Sequence, residues 1–108
     1  MVNVNDSNFN KEVVDKSKDI PVLVDFWAPW CPPCVMLSPV LEEAINDSRI
    51  KGKLILAKAN TGDCEVASSK YGIMHIPAVK LFKDGKVVDE FIGFRPKNEI
   101  IDWLIDRI

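Results

Sequence analysis

Two cysteines separated by two residues, in the run Trp30-Cys31-Pro32-Pro33-Cys34, are the residues of this chain best suited by type and spacing to chemistry. A two-residue spacer at the start of a helix puts the first sulfur at the helix N-terminus. There, unpaired N–H groups and the positive end of the dipole stabilise a thiolate. Cys31 is then the nucleophile. Cys34, one turn further in, reaches that sulfur but is shielded from solvent, so it suits attack on a mixed disulfide rather than on an outside partner. A dithiol stores two electrons by itself, so no metal or organic cofactor is needed. The competing reading is half of a zinc site, which needs two more ligands. Only Cys64 and His75 are available. Their spacing matches no common ribbon or finger, and Pro32-Pro33 holds the loop in one shape rather than letting it wrap a metal.

The elements around the pair must hold it at a helix start. From Cys34 onward, Cys34, Leu37, Leu41, Ala44 and Ile45 recur at helical spacing, and Pro39 should bend that helix. The run opened by Pro21, Val22 to Trp27, is nearly all apolar, as in a central strand buried on both faces, with Asp25 as the anomaly in its middle. Val2 to Val4 is a short strand, and Asp6 can cap a helix carrying Phe9, Val13 and Val14. Leu54 to Ala59 reads as a second core strand, followed by a helix from about Asp63 to Tyr71 and a turn at Gly72. Ala78 to Lys83 and Lys86 to Ile92 flank Asp84-Gly85, which marks an antiparallel hairpin. Pro96 opens a last helix with Ile100, Ile101, Leu104, Ile105 and Ile108 along one stripe. Strand-helix-strand units followed by a hairpin and a helix imply an α/β class with a mixed sheet covered on both faces.

The chain has 108 residues, a length that suits one domain over residues 1–108 with a hydrophobic core of useful size. With a formal net charge of -2, it offers no bulk electrostatic argument for nucleic acid or an anionic membrane. No apolar run approaches the roughly 20 residues of a membrane span. The first residues also lack a basic segment followed by an apolar one, so the expected location is cytoplasmic. Three cysteines do not make the even framework of a secreted disulfide scaffold.

The run from Val22 to Cys34 (VLVDFWAPWCPPC), Ser38-Pro39, Lys58, Tyr71 to Pro77 (YGIMHIP), Leu81 to Gly85 (LFKDG) and Gly93 together resemble the thioredoxin family, in order and over essentially the whole chain. The resemblance implies the thioredoxin fold: a central mixed sheet of about five strands flanked by about four helices, with the active site at the end of the strand carrying Asp25. It implies a protein dithiol-disulfide oxidoreductase acting through a reversible Cys31-Cys34 disulfide. It also implies that Asp25, its pKa raised by burial, accepts the proton of Cys34. Lys58 corresponds to the family's lysine near that aspartate, although alone it reads as an ordinary lysine reaching for the surface. Pro77 matches the family's cis-proline opposite the cysteines, and Trp30, Ile76, Pro77 and Gly93 form the implied substrate groove. Trp27 serves core packing as readily as function.

Several positions depart from the family pattern. The family usually has Gly-Pro where this chain has Pro32-Pro33, so an N–H near the Cys31 sulfur is lost. A less stabilised thiolate makes the reduced form less favourable, and the pair is expected to be more reducing than its glycine version. Val35 stands where a cation is common and Pro29 where a charge is frequent, which makes the rim more apolar. His75 can bring a positive charge near Cys31 at mildly acidic pH. The expected partners are disulfide-containing proteins and a dedicated disulfide reductase as electron donor, for which an ordinary thioredoxin reductase would be a poor substitute. A monomer is expected, with Cys64 a free cysteine. Two other readings remain: a disulfide oxidase or isomerase on the same fold, and a zinc-holding module built on Cys31, Cys34, Cys64 and His75.

Overall fold

The computed structural model describes residues 1–108. Strands β1 (Val2–Val4), β2 (Val22–Trp27), β3 (Ile55–Asn60), β4 (Ala78–Lys83) and β5 (Lys86–Ile92) form one sheet in the order β1-β3-β2-β4-β5. Pairing is parallel between β1 and β3 and between β3 and β2, and antiparallel from β2 through β4 to β5. The apolar run of β2 lies at the centre, where every residue from Val22 to Phe26 is buried. A strand covered on both faces requires side chains of that kind at every position.

Strand alternation sorts the core into two layers. Leu23, Leu56, Val79, Leu81 and Phe91 meet helix α1 (Pro32–Ile45) through Leu37, Leu41 and Ala44, and helix α3 (Lys97–Ile105) through Ile100, Ile101 and Leu104. On the other face Val22, Val24, Phe26, Ala57 and Phe82 meet helix α2 (Glu65–Lys70) through Ala67, and the N-terminal helical segment through Phe9 and Val13. Helices on both faces of a mixed five-stranded sheet are the expected architecture.

The β4-β5 hairpin has the expected bounds, and Asp84 and Gly85 take φ of 54° and 85°. Positive φ at both central residues gives a turn whose twist matches that of the flanking strands. Other expectations need correction. The N-terminal segment is a π-helical stretch Asn10–Asp15 running into a 3-10 turn Lys16–Lys18, and Asp6 does not cap it. The Asn5 side chain takes the local N–H groups of Ser7 and Asn8, while Asp6 accepts from the backbone of Val66 and Ala67 and so caps α2. Helix α1 begins at Pro32 with Cys31 as its N-cap, so its first turn holds the cysteine motif as expected. In α3, Ile105 is 38 % exposed and Trp103 is buried in its stead, packed edge-on to Phe91.

Candidate active site

Topology alone brings distant segments to the cysteines. Antiparallel pairing sets Phe26 against Ala78, so the residues just before β4 lie where β2 ends, and Ile92 pairs with Ala78 from the other side. The loop from Ala28 to Cys31, the Ile76-Pro77 bond and Gly93 therefore gather at one end of the sheet. The Ile76-Pro77 peptide is cis, and the Ile76 carbonyl oxygen lies 3.9 Å from Cys31 Sγ. Gly93 donates its N–H to the Pro77 carbonyl at 2.8 Å. Its φ of 87° is the reason for glycine there, since an added Cβ would meet nothing within 4 Å.

Cys31 occupies the N-cap of α1 in extended conformation, with Pro32 and Pro33 as the first helical residues. Proline suits that position because its missing N–H would have no intrahelical partner. The two prolines leave the N–H of Cys34 as the donor to Cys31 Sγ, at 3.3 Å. Cys31 and Cys34 are joined in a disulfide with their Cα atoms 5.3 Å apart. Exposure separates the two residues: Cys31 keeps 6 % of its surface open and Cys34 none. Ala28, Trp27 and Ile76 pack around them, while Trp30 stands 76 % exposed at the rim beside Pro32 and Pro33.

Behind the disulfide lies a buried polar cluster. Asp25 and Lys58 are register partners on β2 and β3, on the face that α1 covers. Lys58 Nζ donates to Asp25 Oδ2 at 2.5 Å and to Ser38 Oγ at 2.8 Å, and lies 5.2 Å from the centre of the Trp27 ring. Asp25 Oδ1 and Trp27 Nε1 are buried without a hydrogen-bond partner. Burial raises the Asp25 pKa, and the opposing pull of the Lys58 charge and hydrogen bond does not cancel it. Lys58 is thus an internal cation rather than a surface lysine, 6 % exposed.

Ser38 and the Lys80 to Glu90 ion pair were not recognised from sequence as site-region contacts. Ser38 follows Cys34 by four residues and so shares its helix face, which is the signal that finds it. Lys80 and Glu90 face each other across the hairpin, where Nζ lies 2.7 Å from Oε2. His75 is exposed and lines a depression of about 30 Å³ with this pair, Met74 and Ile92. Cys64 stands apart from the site, buried in the opposite core layer with its thiol donating to the Val4 carbonyl. Burial and the nearby charges of Asp6 and Asp63 push that thiol up to about 11. Cys64 is a free thiol, as expected, and no group of three or more His, Cys, Asp or Glu side chains converges on a metal position. Cys64 lies in a different core layer from Cys31 and Cys34, so the four residues of the zinc reading do not meet.

The family model described as thioredoxin matches residues 1–106. A thioredoxin from Rickettsia felis is 46% identical over 102 residues, covering 94% of this chain and 93% of the relative. Thioredoxin C-2 from Corynebacterium nephridii is 42% identical over 108 residues, covering 100% and 96%. A thioredoxin from Chlorobaculum thiosulfatiphilum is 47% identical over 103 residues, covering 95% and 92%. With a two-residue spacer between its bonded cysteines, a five-stranded mixed sheet and these relatives along its whole length, the chain belongs to the thioredoxin family of dithiol-disulfide oxidoreductases.

Proposed function

We propose that this protein runs in the reductive direction, as a cytoplasmic monomer that reduces disulfides in other proteins and is recharged by a dedicated disulfide reductase. The Cys31 thiolate attacks one sulfur of the substrate disulfide, the other substrate sulfur leaves and takes a proton, and a mixed disulfide forms. Cys34 gives its proton to Asp25 and attacks Cys31 Sγ. The remaining substrate sulfur leaves as a thiol, and the Cys31-Cys34 disulfide closes. Two electrons pass to the substrate. The reductase then returns two electrons and two protons to the pair.

Unequal exposure of the two cysteines, 6 % for Cys31 at the helix N-cap and none for Cys34, carries the order of attack, and likeness to thioredoxins, a class of low potential, carries the direction. An outside disulfide meets only Cys31. The unpaired Asp25 Oδ1 on the α1 side supports its part as proton acceptor, with Lys58 limiting how far its pKa rises. Trp30, Ile76, Pro77 and Gly93 form the surface against which an extended substrate segment lies, and Pro32, Pro33 and His75 tune the pair. Val35 and Met36, 53 % and 62 % exposed in the first turns of α1, add apolar surface to that of Trp30, so the reductase presents an apolar face.

Mixing reduced protein with a disulfide-containing protein tests the order of events. Cys34→Ser should accumulate a mixed disulfide through Cys31, and Cys31→Ser should accumulate none. Adducts through Cys34 in the Cys31→Ser protein would contradict the assignment.

A further inference from the structure

We propose that Ser38 is a positioning residue for proton transfer at the buried carboxylate: its hydroxyl holds the Lys58 ammonium while Asp25 is protonated. The inference rests on the reading of Asp25 as proton acceptor for Cys34. Lys58 Nζ has two polar partners in the interior, Asp25 Oδ2 on β2 and Ser38 Oγ on α1. Lys58 and Asp25 are 6 % and 0 % exposed and Ser38 is half-buried, so water has little access to the ammonium. When Asp25 takes a proton it stops being an anion, and the ammonium is left buried with a neutral carboxyl and the serine hydroxyl. A buried cation without acceptors is costly, so Ser38 matters most in the state that follows proton transfer.

The groups facing Asp25 are few. Lys58 pairs with it from β3, its neighbour across β4 is Val79, and α1, which carries buried Cys34 and half-buried Ser38, covers this face of the sheet. Lys58 is the only charge acting on it. Removing the hydroxyl therefore penalises protonated Asp25 beside charged Lys58 more than the ionised pair, in which the carboxylate still holds the ammonium. The sign follows directly: Ser38→Ala lowers the Asp25 pKa. Ser38→Thr, which keeps a hydroxyl, restores it.

The test is carboxyl-carbon NMR titration of Asp25 in reduced wild type, Ser38→Ala and Ser38→Thr. Resolution of a pre-formed mixed disulfide is followed against pH in the same proteins. The expected result for Ser38→Ala is a downward shift of up to about one unit, because the worth of one charge-assisted hydrogen bond bounds the difference between the two protonation states. Slower resolution at neutral pH should accompany it, with both effects reversed in Ser38→Thr. An Asp25 pKa that stays or rises in Ser38→Ala, or a threonine variant that behaves like alanine, would overturn the proposal. Asp25→Asn separates the two layers of the argument. If it leaves resolution unchanged, the proton-acceptor reading fails, and the carboxyl titration still decides whether Ser38 acts on the Lys58 pair.

Discussion

At the redox pair, the residue that matters most after the cysteines is the one that withholds a donor. Pro32 and Pro33 carry no N–H, so one backbone donor, from Cys34, reaches Cys31 Sγ. Pro32→Gly returns an N–H to the first helical position and should stabilise the thiolate. The reduced form then gains, and the midpoint potential should rise by about 30 mV, equivalent to about 1.4 kcal/mol for a two-electron couple. An unchanged or lower potential would contradict the role given to the proline. Asp25 makes a second prediction, for stability. Its folded-state pKa is raised above the ordinary 3.8, so between the two values the folded protein binds more protons than the unfolded chain. Its favourable contribution is complete below the unfolded value and is lost as pH rises through the folded one. Asp25→Asn should therefore gain on wild type as pH climbs from the unfolded value through the raised folded one, by about 1.4 kcal/mol for each unit of separation between the two pKa values. Denaturant titrations at several pH values measure the gap, and a gap that stays flat or closes would count against a costly buried carboxylate.

Among the elements, α2 shows how a short helix depends on a distant cap. Its N-terminal N–H groups at Val66 and Ala67 are taken by the two oxygens of Asp6, which arrives from the end of β1. Asp6→Ala should cost about 1 kcal/mol and speed hydrogen exchange at those two amides, with disulfide reduction unaffected. Unchanged exchange there would show that the cap is not holding the helix. This contact also marks a limit of reading elements from sequence. Asn5, Asp6 and Ser7 are three adjacent residue types that can all cap, and local propensity does not say which turns inward and which reaches another element. By contrast, the turn and strand bounds of the hairpin were legible, because Asp84-Gly85 favours one turn type, whereas the register shift between Leu81 and Phe82 was not. The start of α1 was legible through its cysteines and prolines, with Cys31 at the N-cap as expected. Lys58 was not legible from the residues of β3 alone, since ILAKAN gives no sign that its lysine faces a buried carboxylate. Its place came from the family resemblance, and its second partner, Ser38, only from the packed structure.

For the molecule as a whole, the sheet order does the assembling. With β2 central, parallel to β3 and antiparallel to β4, one sheet end receives the N-terminus of α1, the Ile76-Pro77 loop and Gly93, while the Asp25 and Lys58 pair lies under α1. The opposite core layer, which holds Cys64, supports the sheet without adding a reactive thiol to the site. None of these features sets the direction of electron flow, which follows from the energy of the pair. The most direct test of the account is therefore the equilibrium potential of Cys31 and Cys34, titrated in defined thiol-disulfide buffers and read by tryptophan fluorescence with thiol trapping. Thioredoxins as a class lie near about -270 mV, and a value near or below about -250 mV is the expected result for a protein that donates electrons. A value near about -180 mV or above would contradict that direction and make the protein an oxidase or isomerase.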